Sequence, residues 1–101
     1  MIRHIVWWTL KDEAEGNTAA QNAEKIKAMG EALIDKVPSL KSIEIGIDIK
    51  ETTTLPVQVV LVSTHDDMAG LKAYAEHPEH LKLGALIKAT TSSRQAIDYE
   101  V

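Results

Sequence analysis

Cysteine and phenylalanine are both absent from the 101 residues of this chain. Without cysteine there is no disulfide, no thiolate metal site and no cysteine nucleophile, and a reducing compartment suits the protein. The five glycines are dispersed and form neither a GxGxxG nor a Walker pattern, and no serine lies in a nucleophile elbow. The sequence therefore indicates neither hydride transfer nor acyl transfer.

Long apolar runs and clusters of basic charge are missing as well. The apolar run at residues 5–8 is too short for a signal-peptide core or a membrane span, so we expect a cytoplasmic protein with no membrane partner. Lysine and arginine are scattered and the net charge is −4, which argues against nucleic acid as a partner. With 45% hydrophobic residues and no low-complexity tract, residues 1–101 are expected to form a single domain.

Two-residue alternation of apolar side chains predicts four β-strands, over residues 2–10, 40–50, 57–64 and 92–101. The second strand has one polar face, whereas the first and third are apolar on both faces. The two faces of the first strand carry, respectively, Ile2, His4, Val6, Trp8 and Leu10, and Arg3, Ile5, Trp7 and Thr9.

Helical spacing predicts three helices. After a charged loop over residues 11–16, the first helix begins at a capping box formed by Thr18 and Gln21. It ends before Pro38. Its expected core stripe is Ala19, Ala23, Ile26, Met29, Leu33 and Val37. A second helix contains Met68, Leu71 and Ala75, is capped by His65 or Asp66, and breaks near His77. Pro78 then starts a third helix, over residues 79–89.

The order of these elements predicts an α+β fold of the ferredoxin-like type, with helices on one face of a four-stranded antiparallel sheet. The other face has no cover within the chain, although it carries apolar residues, either Ile5, Trp7, Val60 and Val62 or their alternates on the same strands. Exposed apolar patches of this kind usually mark a partner surface, so we expect a homodimer. The alternative is an open-faced monomer.

The densest cluster of functional side chains lies between the second and third helices, and its main members are Tyr74, His77 and His80. Histidine transfers protons near neutral pH, and a tyrosine hydroxyl can donate a hydrogen bond to a developing enolate. His80 and Tyr74 are therefore the candidate catalytic residues. In the alternative interpretation, His77 decorates the first turn of a helix and Tyr74 belongs to the core.

His4 is unexpected on an apolar strand face and needs a polar partner. The first and last strands of a ferredoxin-like sheet are antiparallel neighbours, so Asp98 is the predicted partner. If the helix junction folds over that end of the sheet, His4, Tyr74, His80 and Asp98 converge on one pocket. Its predicted apolar walls are Val6, Trp8, Val59 and Leu61. A purely structural pair of His4 and Asp98 is the alternative, and a metal site from His77 and His80 lacks a firm third ligand.

Four segments together resemble the stress-responsive A/B barrel domain family, which belongs to the dimeric α/β-barrel superfamily. They are Arg3-His4-Ile5-Val6, the stretch from Pro38 to Gly46, Tyr74-Ala75-Glu76-His77-Pro78-Glu79-His80, and Asp98-Tyr99. The resemblance covers nearly the whole chain and implies a homodimer whose two sheets close into an α/β barrel. It also implies a cavity between sheet and helices in each subunit.

The same family includes the plant olivetolic acid cyclase, which closes a polyketide ring by aldol chemistry. The resemblance implies that His80 matches its base and Tyr74 the supporting tyrosine, while His4 and Asp98 match other polar pocket residues. No cofactor is expected. The wider superfamily also holds monooxygenases that need no cofactor, so the absence of one does not distinguish between the possible enzyme activities. Two functions remain open: a dimer that binds a small apolar or carbonyl-containing ligand without turnover, and a cofactor-independent enzyme of the cyclase or proton-transfer type.

Overall fold

A computed structural model describes all 101 residues and confirms the ferredoxin-like α+β fold. Its elements are β1 (Ile2–Leu10), β2 (Glu13–Ala14), β3 (Asn17–Thr18), α1 (Ala19–Glu31), a 3₁₀ turn (Ala32–Asp35), β4 (Ser42–Gly46), β5 (Val59–His65), α2 (Met68–Glu76), α3 (Pro78–Thr90) and β6 (Thr91–Glu100). The main sheet is antiparallel with strand order β4-β5-β1-β6. No helix is both long and apolar enough to cross a membrane.

The core lies between the helices and the inward face of the sheet, where β1 is the central strand. In its register, Val6 pairs with Leu61 and Trp8 with Val59, so these side chains share one face. Each large side chain fully buried there contributes about 1.5–3 kcal/mol. The strand residues of the core are Ile2, Val6, Trp8, Leu10, Ile45, Val59 and Leu61, and the helical ones include Ile26, Leu33, Leu71, Tyr74 and Leu83.

Helix α1 starts with the predicted capping box: the Thr18 hydroxyl accepts from the Gln21 backbone N–H, and the Gln21 side chain accepts from the Thr18 N–H. The predicted core position of Met29 is wrong, because its side chain is 40% exposed and the buried neighbour is Gly30. A Cβ on Gly30 would lie 2.1 Å from Ile45 Cδ1. The absent side chain therefore lets α1 approach β4 closely at this point.

The start of α2 also differs from the prediction. Asp67, and neither His65 nor Asp66, is its cap, because Asp67 Oδ1 accepts from the Gly70 N–H at 2.8 Å. His65 is instead the last residue of β5 and is fully buried. The predicted members Met68, Leu71 and Ala75 all belong to α2, and Met68 at its start is 59% exposed. The break at His77 and the start of α3 at Pro78 are as predicted.

Residues 13–18, predicted mainly as loop, form the short β2–β3 hairpin. Glu15 and Gly16, its two loop residues, have φ angles of 53° and 76°. Positive φ at both central positions is typical of the type I′ turn, whose twist suits a two-residue hairpin. β4 is shorter than the predicted 40–50, because only Ser42–Gly46 pair with β5.

The sheet face opposite the helices has no cover within the chain. Ile5, Trp7, Val60 and Val62 lie on it and are only partly buried, while Ile97 is 52% exposed. Of the two adjacent tryptophans, Trp8 points into the core and Trp7 onto this open face, where its Nε1 donates to Gln95 Oε1 at 2.8 Å.

Candidate functional site

A cavity of about 400 Å³ lies between the sheet and α3 and is open to solvent on one side. Six of the eight predicted site residues line it: His4, Val6, Trp8, Leu61, Tyr74 and His80. Its volume is within the range of small-molecule sites, about 300–1,000 Å³. The remaining lining residues were not predicted from the sequence; they are Leu83, Gly84, Ile87, Lys88, Thr91, Ser92, Ser93 and Arg94.

The two other predicted residues lie outside the cavity lining. Asp98 is the register partner of His4 on β6, and its Oδ1 accepts a hydrogen bond from His4 Nδ1. A carboxylate on Nδ1 leaves Nε2 of a neutral His4 as the acceptor. Val59 shares the inward face of β5 with Leu61 but is fully buried in the core and is not one of the cavity-lining residues.

Tyr74 lies among three histidine rings. Its ring centroid is 4.5 Å from that of His80, 4.8 Å from that of His65 and 6.5 Å from that of His4. His65 is a residue that sequence analysis assigned only to a cap. Continuing the inward alternation of β5 from Leu61 through Ser63 would have placed it in the core, where its Nε2 contacts Ser63 Oγ at 2.9 Å.

His80 is oriented by the turn between the two helices. Its Nδ1 lies 3.0 Å from the Ala75 carbonyl oxygen, which can only accept, so Nδ1 carries the proton and Nε2 is the acceptor in the neutral ring. Burial lowers the pKa of His80 below its usual 6.5 and raises the pKa of Tyr74 to about 12. At neutral pH the site therefore holds an unprotonated imidazole beside a protonated phenol.

Two buried donors at this cavity have no hydrogen-bond partner: the Tyr74 hydroxyl and Trp8 Nε1. A buried polar group left unpaired costs about 1–3 kcal/mol. Native structures leave few such groups, and a functional role is one of the common reasons for those that persist. Both donor atoms are shielded from solvent, so an oxygen atom of a bound molecule would satisfy either of them only after a shift of the surrounding side chains.

The other histidine of the predicted cluster, His77, has a structural role. His77 caps α3, because its Nδ1 accepts from the Glu79 N–H at 3.1 Å. This agrees with the interpretation that places His77 at the first turn of a helix. No group of three or more His, Asp and Glu side chains is arranged to hold a metal ion.

His65, which is buried, and His80, which is partly buried, are expected to make the stability of the fold dependent on pH. Burial lowers the pKa of both His65 and His80 in the folded state, so below about pH 6.5 the unfolded chain binds more protons than the folded one. We expect the free energy of unfolding to fall as the pH is lowered through that value and to be insensitive to these groups above it.

Urea denaturation at a series of pH values measures this dependence. His65→Gln keeps a hydrogen-bonding group for Ser63 but cannot titrate, so its stability should fall less steeply with acid than that of the wild type. His77→Gln, which alters a helix cap, is the control and should keep the full slope. A slope in His65→Gln as steep as the wild type's would contradict the expectation.

Sequence comparison places almost the whole chain in one family: residues 2–101 match the profile of the stress responsive A/B barrel domain. This confirms the resemblance found in the sequence. No curated protein sequence matches significantly.

Solved structures with the same fold cover nearly the whole chain. A dimeric protein of unknown function from Bacteroides fragilis is 31% identical, with a TM-score of 0.87 over 99% of this chain and 95% of that chain. A dimeric ferredoxin-like protein of unknown function from Jannaschia is 25% identical, with a TM-score of 0.79 over 99% and 98%. A hydroxynitrile lyase from Passiflora edulis is 17% identical, with a TM-score of 0.77 over 97% and 90%.

Proposed function

Because the chain belongs to the stress responsive A/B barrel domain family, we propose that it is a homodimer in which each protomer binds one small organic molecule in its cavity. The observation that carries this proposal is the open cavity of about 400 Å³, whose lining residues Tyr74 and Trp8 also hold buried donors without a hydrogen-bond partner. Apolar walls with a few convergent polar groups are the usual composition of a small-molecule site.

The chemistry of the ligand follows from the apolar walls of the cavity and from its two unpaired donors. Val6, Leu61 and Ile87 offer an apolar surface, and the two unpaired donors call for an acceptor oxygen such as a carbonyl. A molecule with an apolar body and a carbonyl group satisfies both requirements. Water in the cavity leaves the apolar walls hydrated, which favours its displacement by such a ligand.

The dimer is supported by the open sheet face. Ile5, Trp7, Val60 and Val62 form an apolar surface there that the helices cannot reach. The relatives from Bacteroides fragilis and Jannaschia are both dimeric. We infer that a second copy covers this face, so that the two sheets close into an α/β barrel and the cavities lie on its outside.

A second candidate function, cofactor-independent proton transfer, is favoured by the orientation of His80. Its free Nε2 can accept the proton from a carbon next to the ligand carbonyl, whose oxygen receives the electron pair and a hydrogen bond from Tyr74. In an aldol reaction the enolate carbon then forms a bond to a second carbonyl carbon. The resulting alkoxide takes the proton back from the His80 imidazolium, so the histidine is regenerated.

The fold is compatible with either function, because a fold does not determine chemistry. The hydroxynitrile lyase from Passiflora edulis is an enzyme with this fold, whereas the two dimeric relatives have no known function. Ligand binding is the more general proposal, because proton transfer also requires that a ligand binds in the cavity.

Gly84 offers a direct test of ligand binding. It lines the cavity from α3, and a Cβ built on it meets no atom within 4 Å. We expect Gly84→Leu to fold normally, because leucine is the better helix former, and to fill the cavity with its side chain. Binding of a medium-chain β-diketone, measured by calorimetry, and any ligand retained in native mass spectrometry should both be lost.

Ala85→Leu is the matched control. Ala85 is the next residue of α3, is exposed and lies outside the cavity lining, so the same added volume points to solvent. This variant should bind as the wild type does. Undiminished binding by Gly84→Leu would show that the cavity is not the binding site.

A further inference from the structure

Two basic side chains stand at the exposed side of the cavity. Lys88 on α3 and Arg94 on β6 both line it, and both are exposed. Neither forms an ion pair within the chain, although the structure has seven such pairs. Two unpaired cations of separate elements therefore face one opening.

Acidic groups are absent from the same surface. The chain has 15 Asp and Glu against 11 Lys and Arg, yet none of the 14 lining residues is acidic. The Asp98 carboxylate contacts the lining residue His4, and its charge is already engaged in a hydrogen bond with the His4 imidazole. The cavity opening is thus positive in a protein whose net charge is −4.

Hydroxyl groups complete the exposed side of the cavity. Thr91, Ser92 and Ser93 line it where α3 passes into β6. Thr91 donates to the Ile87 carbonyl and Ser92 to the Thr9 carbonyl, whereas Ser93 makes no side-chain hydrogen bond within the chain. Guanidinium, ammonium and a free hydroxyl are the donors with which proteins bind carboxylates and phosphates.

We propose that the cavity selects amphiphilic anions: molecules with an apolar body along Val6 and Ile87 and one anionic group held by Lys88 and Arg94. This inference rests on the proposed binding function and narrows its ligand class. The inner donors, Tyr74 and Trp8, then bind a neutral oxygen at the opposite end of the molecule. The anionic group is a carboxylate, or a phosphate if the molecule carries one.

Three probes with the same alkyl chain separate charge from apolar contact: octanoate, octyl phosphate and octanol. Titration calorimetry at low salt should give octanoate an affinity about tenfold or more above that of octanol, as expected for a charge-assisted hydrogen bond. The advantage should shrink as salt is added, because the cations are exposed. Tighter binding of octyl phosphate than of octanoate would support the proposal and identify phosphate as the group.

Charge-removing variants locate the effect. In a Lys88→Gln and Arg94→Gln double variant, the affinity for octanoate should fall about tenfold or more, so that octanoate loses its advantage over octanol. Lys72→Gln is the control, because Lys72 is an exposed lysine on α2 that lies outside the cavity and forms no ion pair. It should bind octanoate as the wild type does.

The possible outcomes test the selection of anions separately from the proposed binding of a small molecule. Equal affinities for octanoate and octanol, or octanoate binding that survives the double variant, would overturn the selection of anions and leave ligand binding in place. The anion selection and the proposed binding function are both overturned by two results together: none of the three probes binds the wild type, and Gly84→Leu changes neither β-diketone binding nor the ligand retained in native mass spectrometry.

Discussion

Trp7→Ala is expected to leave the protomer folded and to convert the proposed homodimer into a monomer. Trp7 lies on the open sheet face, and its ring is not part of the core. Truncating a fully packed aromatic side chain at an interface costs about 3 kcal/mol or more, a weakening of more than a hundredfold. A twofold interface contains the residue twice, so the substitution removes two tryptophan side chains from the contact.

Sedimentation equilibrium over a range of concentrations measures this effect. Trp8→Ala should behave differently: Trp8 is only 4% exposed and lies in the core, so its loss lowers the free energy of unfolding of the protomer. Leu81→Ala removes an exposed apolar side chain from α3 and should leave the assembly unchanged. A Trp7→Ala protein that remains fully dimeric at low micromolar concentration would place the interface elsewhere.

His80→Gln is expected to lower proton transfer by about 10²–10⁴-fold, the usual contribution of a positioned general base. Hydrogen–deuterium exchange at the carbon next to the carbonyl of a medium-chain methyl ketone reports this step without knowledge of the natural substrate. In the wild type, Nε2 of His80 is the acceptor because Nδ1 is bonded to the Ala75 carbonyl. Glutamine retains hydrogen-bonding groups at this position but has no basic nitrogen.

The control for this prediction is His77→Gln, which alters the histidine that caps α3 and should leave exchange largely intact. Because burial lowers the pKa of His80, exchange should persist somewhat below pH 6.5 and fall only as the ring becomes protonated. Tyr74→Phe should slow exchange by about 10²–10³-fold through loss of the enolate's hydrogen bond.

Ketone affinity, measured on the same variants, separates catalysis from binding. If His80→Gln binds the ketone and exchanges its hydrogens as fast as the wild type, His80 is not the base. If the wild type binds the ketone and catalyses no exchange, the protein is a binding protein, and the proton-transfer function is excluded for this class of carbonyl compound.

Much of the fold was predictable because it depends on short-range patterns. The alternation of β1 predicted its bounds, and Thr18 with Gln21 predicted the start of α1, since a capping box requires only residues three apart. The cap of α2 was not predictable in the same way. His65, Asp66 and Asp67 can all accept a backbone hydrogen bond, and pairing of Ile2 with His65 extends β5 far enough to leave Asp67 as the cap.

The candidate site, like the fold, was predictable from the sequence only in part. The pairing of His4 with Asp98 across 94 positions followed from the antiparallel arrangement of the first and last strands. The residues of α3 that line the cavity, such as Gly84 and Lys88, did not follow, because their positions depend on how the helix lies over the sheet.

The sequence by itself determined the fold class, the apolar character of both faces of β1 and the break between α2 and α3 at Pro78, because these depend on residue periodicity and local backbone geometry. Only the tertiary structure decided that Trp7 faces outward, that His80 bonds Ala75, and that Lys88 and Arg94 meet at one opening. Helix placement results from collective packing, in which the close approach at Gly30 and the filling of the core act together.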